Sequence, residues 1–70
     1  MTLIEIVSKN VKRYRLAKEY SLKELSEESG VSLSLCSWID GSKRNNISLH
    51  TLEKLSSALG VKVIDLFEDK

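Results

Sequence analysis

Apolar positions recur at helical intervals along most of the chain, and the polar residues between them supply helix caps. Ile4, Val7, Val11 and Tyr14 fall three or four residues apart, the spacing that aligns side chains on one face of an α-helix. Thr2 followed by Glu5 is a capping box, so a helix is predicted to start at Leu3. Lys9, Lys12 and Arg13 project from its opposite side. Arg15 lies at the border of the apolar stripe, where an unpaired guanidinium is costly to bury, so it calls for a carboxylate from elsewhere. Ser21 and Glu24 form a second capping box, Leu22 and Leu25 begin a second helix, and Gly30 stops it in the left-handed conformation. Ser32 caps a third helix that runs to about Asp40 and ends at Gly41. Val31, Cys36 and Ile39 share one side of it, and Leu33, Ser34, Ser37 and Trp38 the other. A polar loop spans 42–46. Ser48 then caps a fourth helix in which Leu49, Leu52, Leu55, Ser56 and Leu59 repeat before Gly60. Val61, Val63, Leu66 and Phe67 outline a short fifth. No period-two alternation is long enough for a strand. The expected fold class is all-α, a compact bundle of five short helices.

Length and composition narrow the function. Seventy residues make one small domain, 1–70, because a split would leave each half below the size that folds unaided. Proline is absent and glycine occurs three times, which favours helices over a turn-rich β fold. One cysteine and one histidine assemble neither an internal disulfide nor a zinc site. The longest uncharged stretch, Ser29 to Ile39, is too short to span a bilayer, and the N-terminus lacks the pattern of a signal peptide. A cytoplasmic protein with no membrane association is expected. Eleven basic residues against ten acidic ones leave a net charge of +1, so distribution matters more than the sum. Lys9, Lys12, Arg13, Arg15 and Lys18 form a stretch without acids. Glu24, Glu27 and Glu28, and later Asp65, Glu68 and Asp69, collect the negative charge.

The second and third helices are separated by little more than Gly30, which is the spacing of a helix-turn-helix over about 21–41. A small residue, Ser26, stands where the helices cross, and Leu25, Val31, Cys36 and Ile39 are placed to lock the third helix onto the core. The stretches "SLKELSEESGVSLSLCSWIDGSKR" and "NNISLHTLEKLSSALGVKVIDLF" resemble the Cro/lambda-repressor-like (XRE) helix-turn-helix family, over Val7 to Phe67. The resemblance implies a five-helix DNA-binding domain, usually a homodimer on a palindromic operator. It covers nearly the whole chain, so no attached catalytic or ligand-binding domain is expected.

Carried over by position, the resemblance places Ser32, Leu33, Ser34, Ser37 and Trp38 toward base edges or nearby backbone. It places Ser21 and Leu22 against a phosphate, with Lys43, Arg44, Asn45 and Asn46 as a second backbone contact. That loop also precedes a helix N-terminus and carries two cations, which suits phosphate oxygens. Arg15 and Asp40 fall where the family often has a buried ion pair. This sequence departs from the family at Leu22, where Gln is common, and at Glu19, where Gly follows the first helix. The outward face of the third helix offers Leu33 and Trp38 in place of Gln, Arg or Asn, the bidentate readers of guanine and adenine. Reading by thymine methyl contacts and serine hydroxyls is what remains to it.

Trp38 is expected outward rather than folded over the core, because Ile39 already fills the core position. Cys36 reads as a small core hydrophobe, and His50 as a solvated side chain. No serine has a base in a recognisable nucleophile motif, so an enzyme is not expected, nor is a cofactor or a metal. Ile64 stands where the family usually has a polar residue, and with Phe67 it outlines a two-fold patch for a homodimer. The function expected is a sequence-specific, double-stranded-DNA-binding transcriptional regulator of bacterial or phage origin. The alternative is a protein-interaction module that binds through Leu33, Leu35 and Trp38.

Overall fold

The computed structural model of the chain describes residues 2–43 and 46–69. Four α-helices, α1 (Leu3–Ala17), α2 (Leu22–Ser29), α3 (Leu33–Asp40) and α4 (Leu49–Leu59), are followed by a 3₁₀ helix, Val63–Phe67. Each α-helix begins where a hydroxyl can accept from the third backbone N–H. Thr2, Ser21, Ser32 and Ser48 do so for Glu5, Glu24, Leu35 and Thr51. Gly30 and Gly60 end α2 and α4 with φ of 76° and 72°, a region that side chains with a Cβ avoid.

Two turns reach the left-handed region without glycine. Glu19, where the resemblance leads to glycine, has φ 58°. Gly41 caps α3 at an ordinary φ of −92°, and Ser42, at φ 57°, makes the turn. The fifth helix is 3₁₀ rather than α. Its period of three places Ile64 and Phe67 on one ridge and Val63 and Leu66 on another. Leu66 is the anchor, buried completely.

Val7, Val11, Leu25, Val31, Cys36, Ile39, Leu52, Leu55, Leu59 and Leu66 form one core to which every helix contributes. Leu49, read as part of the α4 stripe, is instead 63% exposed. It is the first residue of its helix, and the stripe turns inward only from Leu52. Two polar side chains tie the core together. Asn10 is buried and its Nδ2 donates to the carbonyls of Leu66 and Glu68, at 2.9 and 2.7 Å, which fastens the C-terminal segment to α1. Arg15 Nε donates to Asp40 Oδ1 at 3.2 Å, and its Nη1 to the Tyr20 carbonyl at 2.7 Å. One guanidinium thus holds the α1–α2 turn to the end of α3.

Candidate nucleic-acid interface

The placement of α3 begins in the turn before it. Ser29 Oγ donates to the Leu25 carbonyl at 2.6 Å and accepts from Val31 N–H at 3.1 Å. Ser26 Oγ donates to the Val31 carbonyl at 2.6 Å. The small residue at the crossing therefore bonds across the turn as well as making room for it. Val31, Cys36 and Ile39 then bury the inner side of α3. Burial pushes the Cys36 thiol up, and Asp40 adds to the shift against a lowering bond from Ser29. Cys36 stays a neutral thiol, which suits its core position.

The outer side of α3 is solvent-exposed along its length. Leu33 and Trp38 are 49% and 44% exposed, and Ser32, Ser34 and Ser37 lie on the same surface. Ser32 differs from the other two serines, because its hydroxyl oxygen accepts from Leu35 N–H at 3.1 Å. Leu35 does not share this face. It is half-buried against the core, so the protein-binding surface sketched from Leu33, Leu35 and Trp38 loses its middle member.

The N-termini of α2, α3 and α4 differ in charge. At α2, Ser21 N–H donates to Glu24 Oε1 at 2.9 Å, and the Ser21 hydroxyl accepts from Glu24 N–H at 3.1 Å. The Ser21 N–H first, and the Ser21 hydroxyl second, hold the Glu24 carboxyl below its ordinary value. Leu22 is half-buried against the core, which leaves its backbone as the part able to meet a phosphate. The first turns of α3 and α4 carry no acidic residue. At α4, Ser48 Oγ accepts from Thr51 N–H at 3.1 Å and lies 2.9 Å from Thr51 Oγ1. Lys43, Asn46 and His50 are exposed. Lys43 N–H donates to the Trp38 carbonyl at 2.8 Å, so the loop leaves directly from the end of α3. Arg44 and Asn45 lie outside the described residues.

On the far ridge of the 3₁₀ helix, Ile64 is 67% exposed. Phe67 is half-buried and lines an apolar groove of about 280 Å³ with Leu3, Ile4, Val7, Asn46, Ile47 and Leu52. Among the described residues, no group of three or more His, Cys, Asp and Glu could hold a metal ion. None of their helices is long and apolar enough to cross a membrane.

Sequence reasoning missed Asn10. The signal was present, since Asn10 lies three residues after Val7 and four before Tyr14 on the apolar face, where an amide needs partners. Ser29 was also missed, and it has no such signal; its role depends on how the turn closes.

The helix-turn-helix family model matches residues 11–66. The HTH-type transcriptional regulator SinR of Bacillus subtilis (strain 168) is 40% identical over 65 residues, which cover 93% of this chain and 59% of the relative. The chain thus spans about three-fifths of that regulator's length. The solved N-terminal DNA-binding domain of SinR from Bacillus subtilis superposes with a TM-score of 0.88 at 40% identity, over 93% of this chain and 94% of that one. The crystal structure of SinR, the master regulator for biofilm formation, in complex with DNA gives a TM-score of 0.85 at 40% identity, covering 89% and 98%. With the family model spanning most of the chain and both SinR structures sharing its fold, this protein belongs to the helix-turn-helix family.

Proposed function

We propose that the chain is a DNA-binding transcriptional regulator that occupies a palindromic operator as a homodimer in the bacterial cytoplasm. It needs no cofactor and performs no catalysis. The observation that carries this reading is the division of α3. Its inner side and preceding turn are locked by burial and by the Ser26 and Ser29 hydrogen bonds, while its outer side is presented to solvent. A helix held this way can enter a major groove as a rigid body. Ser34, Ser37, Leu33 and Trp38 meet base edges, and Ser32 serves the cap. Lys43, Arg44, Asn45, Asn46 and the backbone at Ser21 and Leu22 meet phosphates. Arg15 and Asp40 keep the frame.

A homodimer suits a palindromic operator by size. The long dimension of one copy is 28 Å, less than the ~34 Å that separates half-sites on one face of B-DNA. Two copies are needed to fill both half-sites. Ile64 and Phe67 provide the apolar ridge for that contact, and Ile64→Glu is expected to lower the mass in sedimentation and weaken operator binding while the fold survives.

Selection of duplexes from a random pool by the purified chain tests the reading. An enriched inverted repeat, bound with an affinity that falls steeply with salt, is the expected result. Neutralising about six phosphates gives a slope of log K against log salt near −5. A chain that ignores duplex DNA at low salt is not this regulator.

A further inference from the structure

The exposed side of α3 contains no side chain that forms a bidentate bond to a base. Guanine is read by Arg or Lys and adenine by Asn or Gln, and none of these occurs in Leu33–Asp40. Asp40, the one carboxylate of the helix, is spent on Arg15. What the face does present is two large apolar groups, Leu33 in its first turn and Trp38 one turn further along, with Ser34 and Ser37 beside them. A serine hydroxyl both donates and accepts, so it tolerates a base amino group as readily as a carbonyl. The feature of the major groove that apolar side chains single out is the C5 methyl of thymine.

Resting on the DNA-binding reading above, we infer that Leu33 and Trp38 are specificity-determining residues that read C5 methyl groups. The target is then a duplex whose half-site presents pyrimidine methyls to α3, and its identity is written in methyl positions more than in donors and acceptors. A consequence separates this mode from hydrogen-bond readout. 5-Methylcytosine carries its methyl at the same place as thymine but replaces the O4 acceptor with an amino donor. A face built from apolar groups and hydroxyls accepts that exchange, whereas it discriminates against unmethylated cytosine. Binding therefore responds to cytosine C5 methylation of the operator.

The experiment uses the duplex enriched from a random pool, with each thymine replaced in turn by deoxyuridine, which removes the methyl and nothing else. Affinity is followed by fluorescence anisotropy at fixed salt. At the contacted positions each substitution should weaken binding about four-fold, the worth of one apolar carbon taken from water. A 5-methylcytosine·guanine pair at those positions should recover most of the loss, and an unmethylated cytosine·guanine pair should not. In Leu33→Ala the deoxyuridine penalty should vanish at one contacted position, and in Trp38→Ala at another, with Trp38→Phe retaining part of it. Both residues are exposed, and thermal melts establish that the variants are folded. Deoxyuridine duplexes bound as tightly as the parent at every position would overturn the inference, as would penalties that persist unchanged in Leu33→Ala and Trp38→Ala. Those results leave DNA binding standing, with discrimination moved to DNA shape or to the loop cations. Failure to bind any duplex removes the DNA-binding reading, and this inference with it.

Discussion

The N-termini of α2 and α4 begin alike, with a serine hydroxyl accepting the third backbone N–H at 3.1 Å in each. They differ in the residue that carries that N–H. At α2 it is Glu24, whose carboxylate returns to the Ser21 backbone at 2.9 Å and places a negative charge on the positive end of the helix. At α4 it is Thr51, and the first turn carries no acid. The same division runs through the molecule. Glu5 closes α1 and Asp65 closes the 3₁₀ helix, while α3 and α4 have hydroxyl caps alone. Helix ends that serve the fold are neutralised from within. The ends of α3 and α4 carry no such acid. Under the proposed function they therefore attract a DNA phosphate more strongly than the α2 end, which offers only its backbone against the Glu24 charge.

Removing the frame that holds these ends in place should have the largest effect. Arg15 and Asp40 are 11% and 17% exposed at their side chains, so the pair is partly rather than fully desolvated. Arg15→Ala leaves Asp40 and the Tyr20 carbonyl without their donors, at a cost of about 2 kcal/mol. For a domain of this length that lowers Tm by ~10 °C. An unchanged calorimetric melt would show that α3 is held by its apolar side alone.

Converting one kind of helix end into the other comes next. Thr51→Glu builds at α4 the box that Ser21 and Glu24 build at α2. The fold should gain about 0.3–1 kcal/mol from the carboxylate at the helix N-terminus. DNA binding should fall about tenfold, because the same carboxylate then faces phosphate. Opposite movements of stability and affinity are the signature. A variant that binds DNA as well as the parent would place α4 away from the duplex.

The two helix ends also show what the chain makes legible. Caps are local, so Thr2, Ser21, Ser32 and Ser48 mark all four α-helix starts in the sequence, and the inward side of α3 follows from periodicity. That Arg15 needs an acid is legible because a guanidinium borders an apolar stripe, but Asp40 as its partner came from the family resemblance. Legibility ends where geometry is set by distant contacts. Leu49 matches the α4 period but precedes the turn that packs, and nothing local distinguishes it from Leu52. The last helix tightens to 3₁₀ in a segment that Asn10 ties down from 56 residues away. Which exposed side chains meet bases is less legible still, since the face of α3 shows what it lacks more clearly than what it seeks.

A smaller effect is expected at the loop beside the open end of α4. Lys43→Ala should weaken binding to all duplexes by about five-fold at 0.15 M salt and reduce the salt slope by about one. The ranking of operator variants should not change, because a phosphate contact carries no sequence information. A reordered ranking in the anisotropy titrations would make Lys43 a base reader and extend the reading surface past α3.

The smallest effect concerns the closed ends, and acid reveals it. The Glu24 carboxyl is held below the ordinary 4.5 by the Ser21 N–H first and the Ser21 hydroxyl second, and Glu5 is held down likewise by Thr2. The unfolded chain therefore takes up these protons at higher pH than the folded chain does. Their stabilisation is complete above 4.5 and is lost as pH falls through the lower folded values. Both groups are fully exposed, so the loss is slight, and it is best read as a difference between melts. Tm should fall on acidification below about 4.5, and fall less in a variant carrying Glu5→Gln and Glu24→Gln. Thr51→Glu should fall more than the parent, since it adds a carboxylate placed like Glu5 and Glu24. If all three proteins lose the same Tm, acid acts elsewhere, and the carboxylates at α1 and α2 do not close those helices in solution.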